Sequence, residues 1–176
     1  MSKAKLIFST NKRMDPGEDT FVYQQAQIQA TTEQAFEWFA QTLPTHFTPA
    51  AESRYGYAGP SSLKYRNRKH KKYGHDNPMV YSGTMRAELL QGHPSTISKP
   101  MKTKSTTTLR FPYARAANLW MGTNPLNPQL NFHKQLTAFD NHDSAAFEEG
   151  VQKRMPVIFN ELLAKDSDTL TETYEV

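Results

Sequence analysis

Arg54, Lys64, Arg66, Arg68, Lys69, Lys71 and Lys72 fall between Arg54 and His75 with no Asp or Glu among them. Tyr55, Tyr57, Tyr65 and Tyr73 are interleaved with these cations. Ammonium and guanidinium groups at this density neutralise phosphate or carboxylate, and phenol rings stack on bases. The whole chain has 21 basic and 17 acidic residues, so outside this segment it is net acidic. Positive charge gathered in one place points to an anionic partner more strongly than a sequence pI near 9.2 spread evenly would. Three readings of the segment stand side by side: contact with DNA phosphates without base readout, contact with an acidic neighbouring subunit, and a merely solvated basic face.

Other chemistries find less to work with. The six histidines stand at 46, 70, 75, 93, 133 and 142, with no HExxH and no pairing on one helix face, so no metal is expected. With no cysteine in the chain, disulfides and thiolate ligands are excluded. Ser82 precedes Gly83, but the GxSxG elbow of a nucleophilic serine is missing. Glu148 and Glu149 are adjacent and therefore project to different sides of a helix; they complement a helix N-terminus rather than share a substrate. Neither a Walker A loop nor GxGxxG occurs. The expectation is a protein that is not an enzyme and takes no cofactor.

The elements that position these residues are legible in outline. At 176 residues the chain fits one domain, 1–176, with residues 1–19 as an N-terminal arm and 166–176 as a polar tail, both expected to be flexible. Apolar residues make up 37% and mean hydropathy is −0.73, which predicts a modest core, long polar connections, and burial completed in an assembly. No signal peptide or membrane span is expected, which points to an aqueous, cytoplasmic setting. Lys5 to Ser9 reads as a strand, and Phe21 to Gln29 as a possible second one. Thr31 and Gln34 match a capping box that starts a helix, with Phe36, Phe39, Leu43 and Phe47 on one face and Pro44 kinking or ending it. Ser61 to Tyr73 reads as a surface helix stopped by Gly74, or as a segment that orders only on contact with its partner. Gly83 needs a positive φ. Residues 95–99 and 103–111 form a β-branched hairpin. Residues 111–139 read as a long irregular loop. Phe147, Val151, Met155, Ile158 and Leu162 give an amphipathic final helix beginning near Asp143 or Ser144, kinked or split at Pro156. The resulting fold class is α+β: a small antiparallel sheet packed by an N-terminal helix and a long C-terminal amphipathic helix, with long loops.

The run from Leu43 to Leu90 resembles the corresponding region of tail-completion and neck proteins of tailed bacteriophages, the virion-morphogenesis or head-tail joining group. Those proteins show a helix, an aromatic-Gly-aromatic basic stretch, and then Pro-Leu-Val-x-Ser/Thr-Gly-x-x-Arg. Here the first feature after the helix is Tyr55-Gly56-Tyr57, and the last motif is Pro78, Met79, Val80, Tyr81, Ser82, Gly83, Thr84, Met85, Arg86. Met79 stands where Leu is commoner, a volume-conserving change. The resemblance covers about residues 36–90 and implies a non-enzymatic virion subunit at the head-tail junction or the top of the tail, made in the host cytoplasm. Implied partners are further copies of itself in a ring, portal or connector proteins, tail-tube or tail-terminator proteins, and genomic DNA in the channel. Ser82, Gly83 and Arg86 are then a structural turn motif, with Arg86 holding a carboxylate, and Phe111, Tyr113, Leu119, Trp120 and Met121 are candidates for the subunit interface. The alternative is a sequence-independent nucleic-acid-binding protein using residues 54–75.

Overall fold

The computed structural model describes residues 5–11, 20–56, 63–75, 77, 83–100, 104–112 and 132–172. The architecture is α+β. Three strands, β1 (Lys5–Asn11), β2 (Ser95–Pro100) and β3 (Lys104–Arg110), form an antiparallel sheet in the order β1-β3-β2. Among the described residues six α-helices accompany it: α1 (Thr20–Gln41), α2 (Ala51–Tyr55), α3 (Leu63–Tyr73), α4 (Thr84–Gln91), α5 (Phe132–Leu136) and α6 (Asn141–Glu172). A 3₁₀ turn spans Leu43–Phe47.

The hairpin of β2 and β3 forms where the β-branched residues place it, and β1 then adds to the far side of β3 across Ile7↔Thr108 and Phe8↔Thr107. Lys5–Asn11, expected within a flexible arm, is thus an edge strand. Alternation sorts the sheet into two faces. Phe8, Thr107 and Leu109 turn inward, where Thr107 and Leu109 are buried, while Ile7, Thr108 and Ile97 line up across the outer face.

Two apolar clusters hold the molecule. Under the sheet, Trp38, Phe39, Leu43, Phe47, Met85, Leu89, Leu109, Phe111, Leu136 and Phe147 pack together. Rings dominate this core: Phe8 stacks on Phe147 at 4.2 Å between centroids, and Trp38 stacks on Phe139 at 4.9 Å. The second cluster is the seam between α1 and α6, where Ala26, Ala30 and Ile158 are buried beside Val151, Met155, Phe159 and Leu162. Small side chains on α1 let the two helices approach closely. Arg154 closes the seam from the outside, donating to Glu37 and Gln34 across from α6.

Several sequence expectations are corrected. Phe21 to Gln29 is helix, not strand: Val22, Ala26 and Ala30 repeat at four residues and are buried, Ala26 and Ala30 against α6. Thr31 does not start a helix but lies inside one, where its hydroxyl donates to the Gln27 carbonyl one turn back. Helix α1 ends at Gln41, and Pro44 falls in the first turn of the 3₁₀ segment, where its missing N–H costs nothing. Phe36 is left partly exposed, outside the core that Phe39, Leu43 and Phe47 enter. Part of the expected loop 111–139 is helix α5. Helix α6 starts at Asn141, because the Asp140 carboxylate accepts the Asp143 backbone N–H as an N-cap. It runs through Pro156 unbroken and continues to Glu172. Pro156 and Gln152, whose carbonyl loses its helical partner, both lie on the solvent side, so water can satisfy that oxygen.

Candidate polyanion-binding surface

Helix α3 carries six of the seven cations singled out in the sequence. Gly74, at φ 73°, lets the chain leave the helix, and its N–H closes on the His70 carbonyl at 2.8 Å. His70, Lys71 and Lys72 in the last turn suit the negative end of the helix dipole. At 100° per residue, Lys64, Arg68, Lys71 and Lys72 fall within about a quarter of the helix circumference. All four are exposed. Arg66 and Lys69 lie outside this stripe. Arg66 donates to Glu52 at 2.9 Å and ties α3 to α2, while Lys69 is 3% exposed and its ammonium donates to the Asn77 carbonyl. Two cations of the outward stripe lie over aromatic rings: Arg68 is 5.8 Å from the Tyr65 centroid and Lys72 is 5.1 Å from that of Tyr73. Such contacts restrict a long side chain without removing its charge from water.

Arg54 does not join this stripe. It reaches to the start of α6, where Nε donates to Asp140 at 2.7 Å and a terminal nitrogen donates to Asp143 at 2.5 Å. The guanidinium pKa is raised, chiefly by the hydrogen bond to Asp140. Burial works against ionisation of Asp140, but the bonds from Arg54 and the Asp143 N–H outweigh it and hold this carboxyl below the usual range. The donor atoms of Asp140, His142 and Asp143 lie within 4.8 Å of one another, and Arg54 is already paired with both carboxylates.

Beside this pair sits His46, fully buried, its ring 4.0 Å from that of Tyr55 and nearly parallel to it. A carbonyl can only accept, so the 3.0 Å contact of His46 Nδ1 with the Gln135 oxygen places the proton on Nδ1. Burial pushes the imidazole down to about 4 and the Tyr55 phenol up to about 12, so both are neutral at pH 7. The Tyr55 hydroxyl pairs with Thr45 at 2.9 Å. These groups form an internal polar latch that joins residues 45–55 to the α5–α6 junction. His46, with no solvent exposure, is closed to a substrate.

The remaining sequence candidates are dispersed. Gly83 has the expected positive φ, 85°, and opens α4. Arg86 is exposed and makes no ion pair among the described residues; Ser82 lies outside them. Phe111 is 2% exposed and packs against Trp38 and Phe39, so it belongs to the chain's own core rather than to a neighbour. Tyr113, Leu119, Trp120 and Met121 lie outside the described residues. The latch had no sequence signal: Arg54 and Asp143 are 89 residues apart, and nothing local marks them as partners. No helix among the described residues is long and apolar enough to cross a membrane.

Compared with known family models, curated proteins and solved structures, the chain matches none.

Proposed function

We propose that this protein is a non-enzymatic structural subunit of a tailed-phage virion, acting at the head-tail junction as a neck, tail-completion or tail-terminator component in a ring of copies. The observation that carries this reading is the outer side of the sheet. Ile7 is 55% and Ile97 37% exposed, in one row across Thr108. Among the described strands, β1 and β2 each pair with β3 alone, so both sheet edges keep backbone donors and acceptors for a neighbour. A chain with a modest core and this much unspent pairing capacity is suited to heterologous contacts, which close into rings. The resemblance over residues 36–90 supplies the virion context, and Gly83, with its positive φ at the start of α4, suits the turn motif that carries it.

The test is whether the chain travels with particles. Mass spectrometry of purified virions encoded by the same genome should find it at several copies per particle, and antibody labelling should place it at the head-tail joint. Absence from intact, infectious virions overturns the reading. Ile7→Lys with Ile97→Lys should leave the far-ultraviolet spectrum unchanged while abolishing incorporation.

A further inference from the structure

We infer that the outward stripe of α3, formed by Lys64, Arg68, Lys71 and Lys72, is a phosphate-contacting surface for duplex nucleic acid. This goes beyond the structural role proposed above and does not depend on it. Of the seven cations gathered in the sequence, the fold withdraws three: Arg54 to Asp140 and Asp143, Arg66 to Glu52, and Lys69 to the Asn77 carbonyl. The other four are all exposed and share one helix face. From Lys64 to Lys72 the helix rises about 12 Å, the axial run of three to four phosphates on one strand at ~3.4 Å each.

The choice of nucleic acid over an acidic protein follows from energetics. An exposed ion pair between a lysine and a protein carboxylate contributes only about 0–1 kcal/mol, because both ions give up good hydration for it. Duplex DNA carries a condensed layer of counterions, and each phosphate neutralised releases them, so exposed cations that gain little from a protein partner gain substantially from DNA. The rings of Tyr65 and Tyr73 beneath Arg68 and Lys72 hold those heads outward before binding, which reduces the ordering cost.

The experiment is fluorescence anisotropy of the full chain with a random-sequence duplex of about 30 base pairs, titrated across salt. Four phosphate contacts give a slope of log K against log salt near −3.6, equivalent to a loss of about 150-fold between 50 and 200 mM. Lys64→Gln, Arg68→Gln, Lys71→Gln and Lys72→Gln combined should bring the slope close to zero, and each alone should lower it by about 0.9. Lys99→Gln with Arg110→Gln, exposed cations on the sheet, should leave it unchanged. Circular dichroism verifies folding throughout. Equal binding by wild type and the fourfold variant overturns the assignment. So does polyglutamate that competes as well as duplex at matched charge, in which case the stripe takes an acidic protein. A chain missing from virions yet showing the slope would sink the structural proposal and leave this one standing.

Discussion

His46 lies flat against Tyr55, ring centroids 4.0 Å apart and planes 15° from parallel, with neither ring charged at neutral pH. Burial keeps the folded imidazole unprotonated down to about pH 4, whereas the unfolded chain takes up the proton near 6.5. Between those values the unfolded state binds more protons. Stability is therefore lost as pH falls from 6.5 to 4, by on the order of 3 kcal/mol. Asp140, held below its usual range, adds a further loss in the same direction once pH drops past about 3.8. On the alkaline side the Tyr55 phenol, neutral up to about 12 in the fold, costs stability as pH rises above 10. Urea denaturation from pH 3.5 to 7.5 measures the acid limb. His46→Gln, which keeps a donor for the Gln135 carbonyl, should flatten the segment between 6.5 and 4.

Arg54 bridges two carboxylates, one of them buried. Arg54→Met should destabilise the fold by about 2 kcal/mol, the cost of a stranded Asp143 reduced for the partial exposure of the arginine. Asp143→Asn in that background should recover part of the loss. Purely additive effects in this double-mutant cycle would contradict the latch.

Phe111 separates core from interface. Phe111→Ala should lower stability by about 3–5 kcal/mol at protein concentrations far too low for association, since the ring fills space between Trp38 and Phe39. A loss that scales with protein concentration would return Phe111 to the subunit contact.

Two glycines without positive φ differ in what surrounds them. A Cβ at Gly92 would lie 2.3 Å from the Pro112 Cβ, a ring with nowhere to swing, so Gly92→Ala should cost about 1–3 kcal/mol. At Gly150 the obstruction is the amide end of Gln34, which can rotate away at the expense of its bond from Arg154. There, better helix propensity offsets the loss by about 1 kcal/mol, and Gly150→Ala should be close to neutral. Thermal denaturation of the pair checks the contrast.

What could be read from the chain divides along physical lines. The hairpin announced itself because the β-branched run Thr106, Thr107 and Thr108 suits a pleated, half-buried surface. Helix α6 was visible because large apolar residues recur on one face. The first half of α1 was not, because its buried positions are Ala26 and Ala30, whose small side chains give a faint periodic signal and matter only against α6. Helix α3 was placed by its lack of acids and by Gly74, but which of its cations turn inward depends on Glu52 and on the Asn77 carbonyl, set by tertiary structure. The polar latch depends on contacts across almost ninety residues and left no local trace.

The strand order β1-β3-β2 has a bearing on synthesis. The hairpin between Ser95 and Arg110 is local and can pair as soon as it leaves the ribosome. The first strand, made earliest, has no partner until Arg110 emerges, and α1 has no seam to fill until α6 has followed. Until those partners follow, the nascent chain therefore displays Phe8 and the alanine face of α1 to the cell, and it is during that interval that chaperone binding or premature aggregation will decide its yield.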